Sequence, residues 1–280
     1  MRTAAFALVV AAAALPAADP PAGARHALLI GVNRYDSDDL KPLAYAEADV
    51  TDLASLLKEK GFTAGTVTLM TTAGGKADAK LAPTRANVQA AFQALLGRLK
   101  AADVALVAFA GRGMQKAGGP HYAVPADGKL DDPATLFNVS EAYRQLQAGP
   151  AGWNLLLVDT SRDDPAAGGV RPPAAKLNSV TRPVTAAPAN STAALFSCSV
   201  GQRSFESPDL KHGVFFHSVL EGWRGKAGDP AARLSWLELA VYVSRDVPRY
   251  VQETWQAEQR PEMVGSMRGH LDLSPPKPAG

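Results

Sequence analysis

Two short stretches of the 280-residue sequence carry the side chains best suited to chemistry. The first is Asp159-Thr160-Ser161-Arg162, which follows directly on the unbroken apolar run Leu155 to Val158. A Ser hydroxyl becomes a nucleophile when a neighbouring base takes its proton, and a carboxylate beside it can fix a cation. The second is Gly111-Arg112-Gly113, which closes the apolar run Val104 to Ala110. Glycines on both sides of one residue let the backbone turn sharply and present that side chain. The guanidinium of Arg112 stays protonated at physiological pH, so it can hold an anion but cannot act as a general base or acid. An ordinary capped loop is the competing reading of residues 159–162. The second stretch weighs against it.

The elements that must position these groups follow from apolar patterning. Short unbroken runs bounded by turn residues read as strands buried on both faces of a parallel sheet, and the ligand crevice of such a sheet lies beyond the carboxyl ends of its strands. His26 to Val32 is one such run, Thr66 to Met70 a shorter one and Thr192 to Ser199 another. From Ala46 to Lys60 the residues Val50, Leu53, Leu56 and Leu57 share one helical face, with Gly61 as the stop. Residues 71–82 read as flexible. Thr84 then caps a helix with a stripe of Val88, Phe92, Leu95 and Leu99. Further helices are expected over Ser140 to Leu146, over Lys211 to Glu221 as an amphipathic segment, and over Ser235 to Val247. Strands alternating with helices predict an α/β fold with a mainly parallel central sheet and helices on both faces.

Composition bounds the rest. The chain is 46% hydrophobic and 20% charged, which suits one large α/β domain. A net charge of +2, with the basic residues scattered, gives no field of the size that nucleic-acid binding needs. Residues 1–18 have a basic start and an apolar run of about a dozen residues, the layout of a cleaved signal peptide. Residues 19–25 read as a linker and 274–280 as a Pro-rich disordered tail. No later segment approaches the ~20 apolar residues of a membrane span, so the mature protein is expected to be secreted or periplasmic. Residues 166–190, rich in Ala, Pro and Gly, read as a long exposed loop. The single cysteine, Cys198, permits no internal disulfide and reads as a buried small hydrophobe. No cofactor is indicated, and no cluster has zinc-ligand spacing. The pairs Asp38-Asp39, Asp131-Asp132 and Asp163-Asp164 read as solvated loop charges rather than a calcium site.

A strand ending in Gly-x-Gly, followed about 50 positions later by a strand ending in Asp-x-x-Arg, resembles the caspase and metacaspase family of cysteine peptidases, of the bacterial peptidase C14 type. Gly31-Val-Asn-x-Tyr35 and His121-Tyr-Ala-Val-Pro125-Ala-Asp127 add to the likeness, which runs from about His26 to about Leu273. The resemblance implies a caspase-like sandwich, with residues 26–273 as the domain and the loop at 166–190 separating a larger from a smaller portion. In the family the first site reads Ser-Gly-His-Gly, and in many bacterial members the second reads Asp-Ala-Cys-Arg. Here they read Ala-Gly-Arg-Gly and Asp-Thr-Ser-Arg, which puts Arg112 at the His position and Ser161 at the Cys position. Metacaspases accept Arg or Lys beside the cut bond through acidic residues; Asp159 matches one of them, and Asp49 and Asp127 match others.

Losing a positioned general base costs about 10² to 10⁴ in rate, and an unassisted hydroxyl is a far weaker nucleophile than a thiolate. His121, His212 and His217 are candidate replacement bases; His217 reads as structural, His212 and His270 as surface or cap residues. Arg112 is expected to pair with Asp159 or Asp163 and partly close the site. The resulting expectation is a pseudopeptidase that binds a protein or peptide, with basic residues favoured. The alternatives are a hydrolase of altered mechanism using Ser161 or Cys198, and an interaction domain whose cleft has no remaining role.

Overall fold

A computed structural model describes residues 23–115, 118–162, 190–228, 233–269 and 271–274. The segments read as signal peptide and tail, and all but Asn190 of the long loop's 166–190, lie outside these residues, apart from Ser274 at the start of the tail.

Six strands form the central sheet. They are β1 (Arg25–Gly31), β2 (Val67–Met70), β3 (Val104–Ala110), β7 (Trp153–Asp159), β8 (Ser191–Phe196) and β11 (Glu262–Ser266), in the order β11-β8-β7-β3-β1-β2. All neighbours are parallel except β11, which runs antiparallel to β8 along one edge. The unbroken apolar runs are explained by burial on two sides. In β3, Leu106 and Ala108 face one core while Ala105, Val107 and Phe109 face the other. The first core is covered by α1 (Ala46–Glu59), α5 (Val214–Glu221) and α6 (Trp236–Trp255), through Val50, Leu53, Phe215, Phe216 and Trp236. The second is covered by α3 (Arg85–Arg98) and α4 (Val139–Ala148), through Val88, Phe92 and Leu146. A sheet buried on both faces by helices is the expected α/β sandwich.

Several boundaries differ from the patterning. Residues 71–82 are not irregular: they hold α2 (Thr72–Ala77) and a 3₁₀ turn at Ala79–Leu81. Local caps order them, since Thr71 Oγ1 accepts the Gly74 N–H at 2.9 Å and Asp78 Oδ1 the Lys80 N–H at 3.0 Å. Three strands, β4 (Gly113–Gln115), β5 (His121–Ala123) and β6 (Phe137–Asn138), form a small antiparallel sheet beyond the end of β3. The segment expected as one amphipathic helix starts instead with β10 (His212–Gly213), paired with β9 (Glu206–Ser207). The helix proper begins at Val214 and is buried on most of its surface. Helix α6 continues through Pro248 to Trp255. The hydrogen bond that Pro248 cannot donate falls on Ser244, which is exposed, so water can take that carbonyl.

Candidate functional site

Strands β3 and β7 lie side by side with Ala110 opposite Asp159, so the two chemically marked turns leave the sheet together at its carboxyl end. The Gly111 N–H donates to the Asp159 carbonyl at 3.0 Å and carries the pairing one residue further. At Gly113 an added Cβ would sit 2.6 Å from both Cβ and Oγ1 of Thr160, so the two loops close on each other only because that residue has no side chain.

Between them Arg112 is held at its backbone and at one side-chain nitrogen. Its N–H donates to Tyr35 Oη at 2.7 Å, and the Tyr35 hydroxyl donates to the Val32 carbonyl at 3.1 Å. Its Nε donates to the Lys41 carbonyl at 2.7 Å. Among the described residues the two Nη groups have no hydrogen-bond partner. Ser161, half-buried, presents an Oγ that accepts the Ser204 N–H at 3.4 Å. Both Arg112 and Ser161 line one pocket of about 620 Å³.

The pocket lining also holds four carboxylates, the exposed Asp39 and the more enclosed Asp49, Asp159 and Glu206. Asp159, at the end of β7, accepts a short hydrogen bond from the Ser204 hydroxyl, and its pKa is pushed up to about 7 by burial and then by the charge of Asp49. Asp49 stands in the first turn of α1 and is raised to about 6, again by burial, with the His212 hydrogen bond acting in the opposite direction. His212 Nδ1 lies 2.7 Å from Asp49 Oδ1, and the Gly213 N–H donates to the same oxygen at 3.1 Å. That contact raises the pKa of His212. Glu206 accepts the Tyr45 N–H at 2.8 Å and the Ala44 N–H at 3.0 Å. Gly213 separates the two buried acids: a Cβ there would meet Asp159 Oδ2 at 2.6 Å and Asp49 Oδ2 at 3.0 Å.

The structure corrects several expectations. Arg112 does not pair with Asp159. The acid is turned inward to Ser204, while the guanidinium is held on the Lys41 carbonyl. Asp163 lies outside the described residues. Asp127 does not line the pocket; its Oδ1 accepts the Arg85 N–H at 2.6 Å and so holds the start of α3. His212 is not a free surface residue but is tied to Asp49. His217 stands next to it, 6.1 Å between ring centroids, outside the pocket lining. His121 is buried behind Thr160, with Nε2 2.7 Å from Thr160 Oγ1, and burial drives its pKa down to about 3, which keeps the ring neutral. His270 lies outside the described residues. Cys198 is buried, with Sγ 3.5 Å from the Thr160 carbonyl and 3.4 Å from that of Gln202, and burial pushes its thiol up to about 12. A neutral, enclosed thiol is a poor nucleophile. Of Ser161 and Cys198, only Ser161 reaches the pocket.

Sequence reasoning missed Tyr35, Lys41, Ser204 and Glu206 as parts of this site. The available signal was the polar run from Gly201 to Glu206, which comes after β8 at the same end of the sheet. Among the described residues no group of three or more His, Cys, Asp and Glu is placed to hold a metal ion, and no helix is long and apolar enough to cross a membrane.

Against this geometry stand the comparisons with known proteins. The family model of the caspase domain matches residues 24–271. The crystal structure of caspase-1 from Spodoptera frugiperda superposes with a TM-score of 0.65 at 17% identity, over 92% of this chain and 92% of that one. A crystal structure of a protein from Geobacter sulfurreducens superposes with a TM-score of 0.59 at 18% identity, over 88% of this chain and 94% of that one. At such identities the superpositions speak for the fold. No curated protein matches the sequence.

Proposed function

This chain belongs to the caspase-domain family, and we propose that it is a member that binds through its cleft without cutting, a pseudopeptidase with a binding or regulatory role. The observation that carries this reading is the wall of the pocket. Arg112 and Ser161 enter it from adjoining strand ends, and among the described residues the wall contains no histidine and no cysteine. A permanently protonated guanidinium cannot accept the proton of Ser161, and among the described residues the Ser161 hydroxyl is engaged by a backbone N–H, which activates nothing. Asp49, Asp159 and Glu206 cluster around Gly213 and give the pocket an acidic part, although Lys41, Arg112 and Arg203 share its lining, so the expected ligand is a protein or peptide segment bearing Arg or Lys. Secretion or export to the periplasm belongs to the same reading, on the layout of residues 1–18; mass determination of the mature N-terminus tests it.

Peptide cleavage tests the catalytic part. Substrates containing Arg and Lys are incubated, with and without calcium, with the natural protein and with the double variant Arg112→His, Ser161→Cys. The natural protein is expected to be silent, and the double variant to regain measurable cleavage if the pocket still seats the peptide. Cleavage by the natural protein that Ser161→Ala abolishes, or fold-dependent labelling of Ser161 by a fluorophosphonate, would overturn the reading in favour of a serine hydrolase.

A further inference from the structure

The pocket carries charges of both signs, with Asp39, Asp49, Asp159 and Glu206 in its lining together with Lys41, Arg112 and Arg203. At one side the buried acids Asp49 and Asp159 flank Gly213, with Glu206 beside them; of the three, Asp49 has the His212 imidazole as its ionic partner, while Asp159 and Glu206 are held by hydroxyl and backbone donors. In the same lining Arg112 offers two Nη groups that have no partner among the described residues, and the bonds at its N–H and Nε fix where they stand. Ser161 lines the same space with a hydroxyl that accepts from Ser204 and still has its own proton to donate. A fork of guanidinium N–H groups that lines the same pocket as a hydroxyl donor suits a carboxylate, which accepts two parallel bonds. A neutral peptide carbonyl would leave most of that charge unanswered.

We propose that this pocket selects the last residue of a peptide: a basic side chain directed to the acidic side, and the free terminal carboxylate held by Arg112 and Ser161. The proposal rests on the reading of the cleft as one that binds without cutting, and it narrows the ligand from a chain containing Arg or Lys to one that ends in Arg or Lys. An uncut substrate has no charge at the point where Arg112 stands, whereas a chain already cut after a basic residue has one. The arginine thus turns a site for a bond into a site for an end.

Titration calorimetry at pH 8 on the full chain tests this with three probes: acetyl-Ala-Ala-Ala-Arg as the free acid, the same peptide as its C-terminal amide, and the same peptide extended by two alanines. The free acid is expected to bind about tenfold to a hundredfold more tightly than the amide or the extended peptide. In Arg112→Gln the free acid and the amide should fall within about twofold of each other, while a far-UV circular dichroism spectrum and a urea midpoint like those of the natural protein show that the variant is folded. Equal binding of all three probes to the natural protein overturns the carboxylate selection and leaves the basic-peptide reading standing. A preference for the acid that survives in Arg112→Gln also overturns it. Binding of none of the three removes both, and cleavage of the extended peptide removes the reading of an inactive cleft together with the proposal built on it.

Discussion

Arg112 and Arg162 stand just beyond the ends of neighbouring strands, and the chain treats them in opposite ways. Arg162 is buried at 4% exposure, and its surroundings answer its charge and its donors. Nε donates to Gln115 Oε1 at 2.9 Å; Nη1 donates to the Cys198 carbonyl at 3.1 Å and to Glu262 at 2.5 Å. The guanidinium carbon lies 4.6 Å from the centre of the Phe196 ring. Among the described residues Arg112 has one side-chain hydrogen bond, from Nε, and it lines the pocket. A buried cation is tolerated only when paired and hydrogen-bonded, so Arg162 reads as a structural tie between β7, β8 and β11. An arginine held in place but left with spare donors can still serve a ligand.

Substitutions separate the two regions. Arg162→Ala strands Glu262, Gln115 and a buried carbonyl together, and is expected to cost about 3–5 kcal/mol in urea unfolding; a loss under about 1 kcal/mol would erase the distinction drawn between the arginines. Asp159→Asn should act through pH. The folded-state pKa of Asp159, about 7, stands above the ordinary carboxylate value, so the folded chain keeps a proton that the unfolded chain gives up. Its contribution is therefore fully present below about pH 4 and is lost as the pH rises to about 7, with a slope of at most about 1.4 kcal/mol per pH unit. Unfolding midpoints of the natural protein and the variant, compared at pH 5 and pH 8, should show the variant gaining relative stability at the higher pH. Arg112→Ala should change stability by less than about 0.5 kcal/mol, because it removes one exposed bond and no packing; a larger loss would place Arg112 with the structural arginine.

The same contrast shows what could be read from the sequence. The parallel strands were legible because burial on both faces leaves an unbroken apolar run, as in Leu155 to Val158, and α3 because Thr84, Val88, Phe92 and Leu95 combine a cap with a stripe. Strand β11 was not. It lies at an edge, carries exposed Met263 and includes Gly265 at φ +131°, so neither alternation nor apolarity marks it. The strand ends named Arg112, Ser161, Asp159 and their shared crevice, since strand order alone brings those turns together. Asp49 came from the resemblance, and the structure joins it to the pocket across more than 100 residues of chain through His212 and Gly213. Asp127 came from the same source and proved to hold a helix start, because a short motif specifies residue types but not which neighbouring N–H claims the carboxylate. Of the two acids expected to pair with Arg112, Asp163 lies outside the described residues, and Asp159 does not pair with it for a related reason: charge complementarity pointed to that acid, while Ser204, 45 positions away in the chain, holds it.

The pairing of β7 with β8 joins the chain before residue 163 to the chain after residue 189 along six registered positions, from Trp153 opposite Ser191 to Val158 opposite Phe196. The Arg162 contacts to Cys198 and Glu262 add a second seam across the same gap. These two halves are thus held together by strand pairing and side-chain contacts as well as by the backbone between them. The sheet and the pocket wall are each shared between two stretches of chain that meet in space far more closely than they do in sequence.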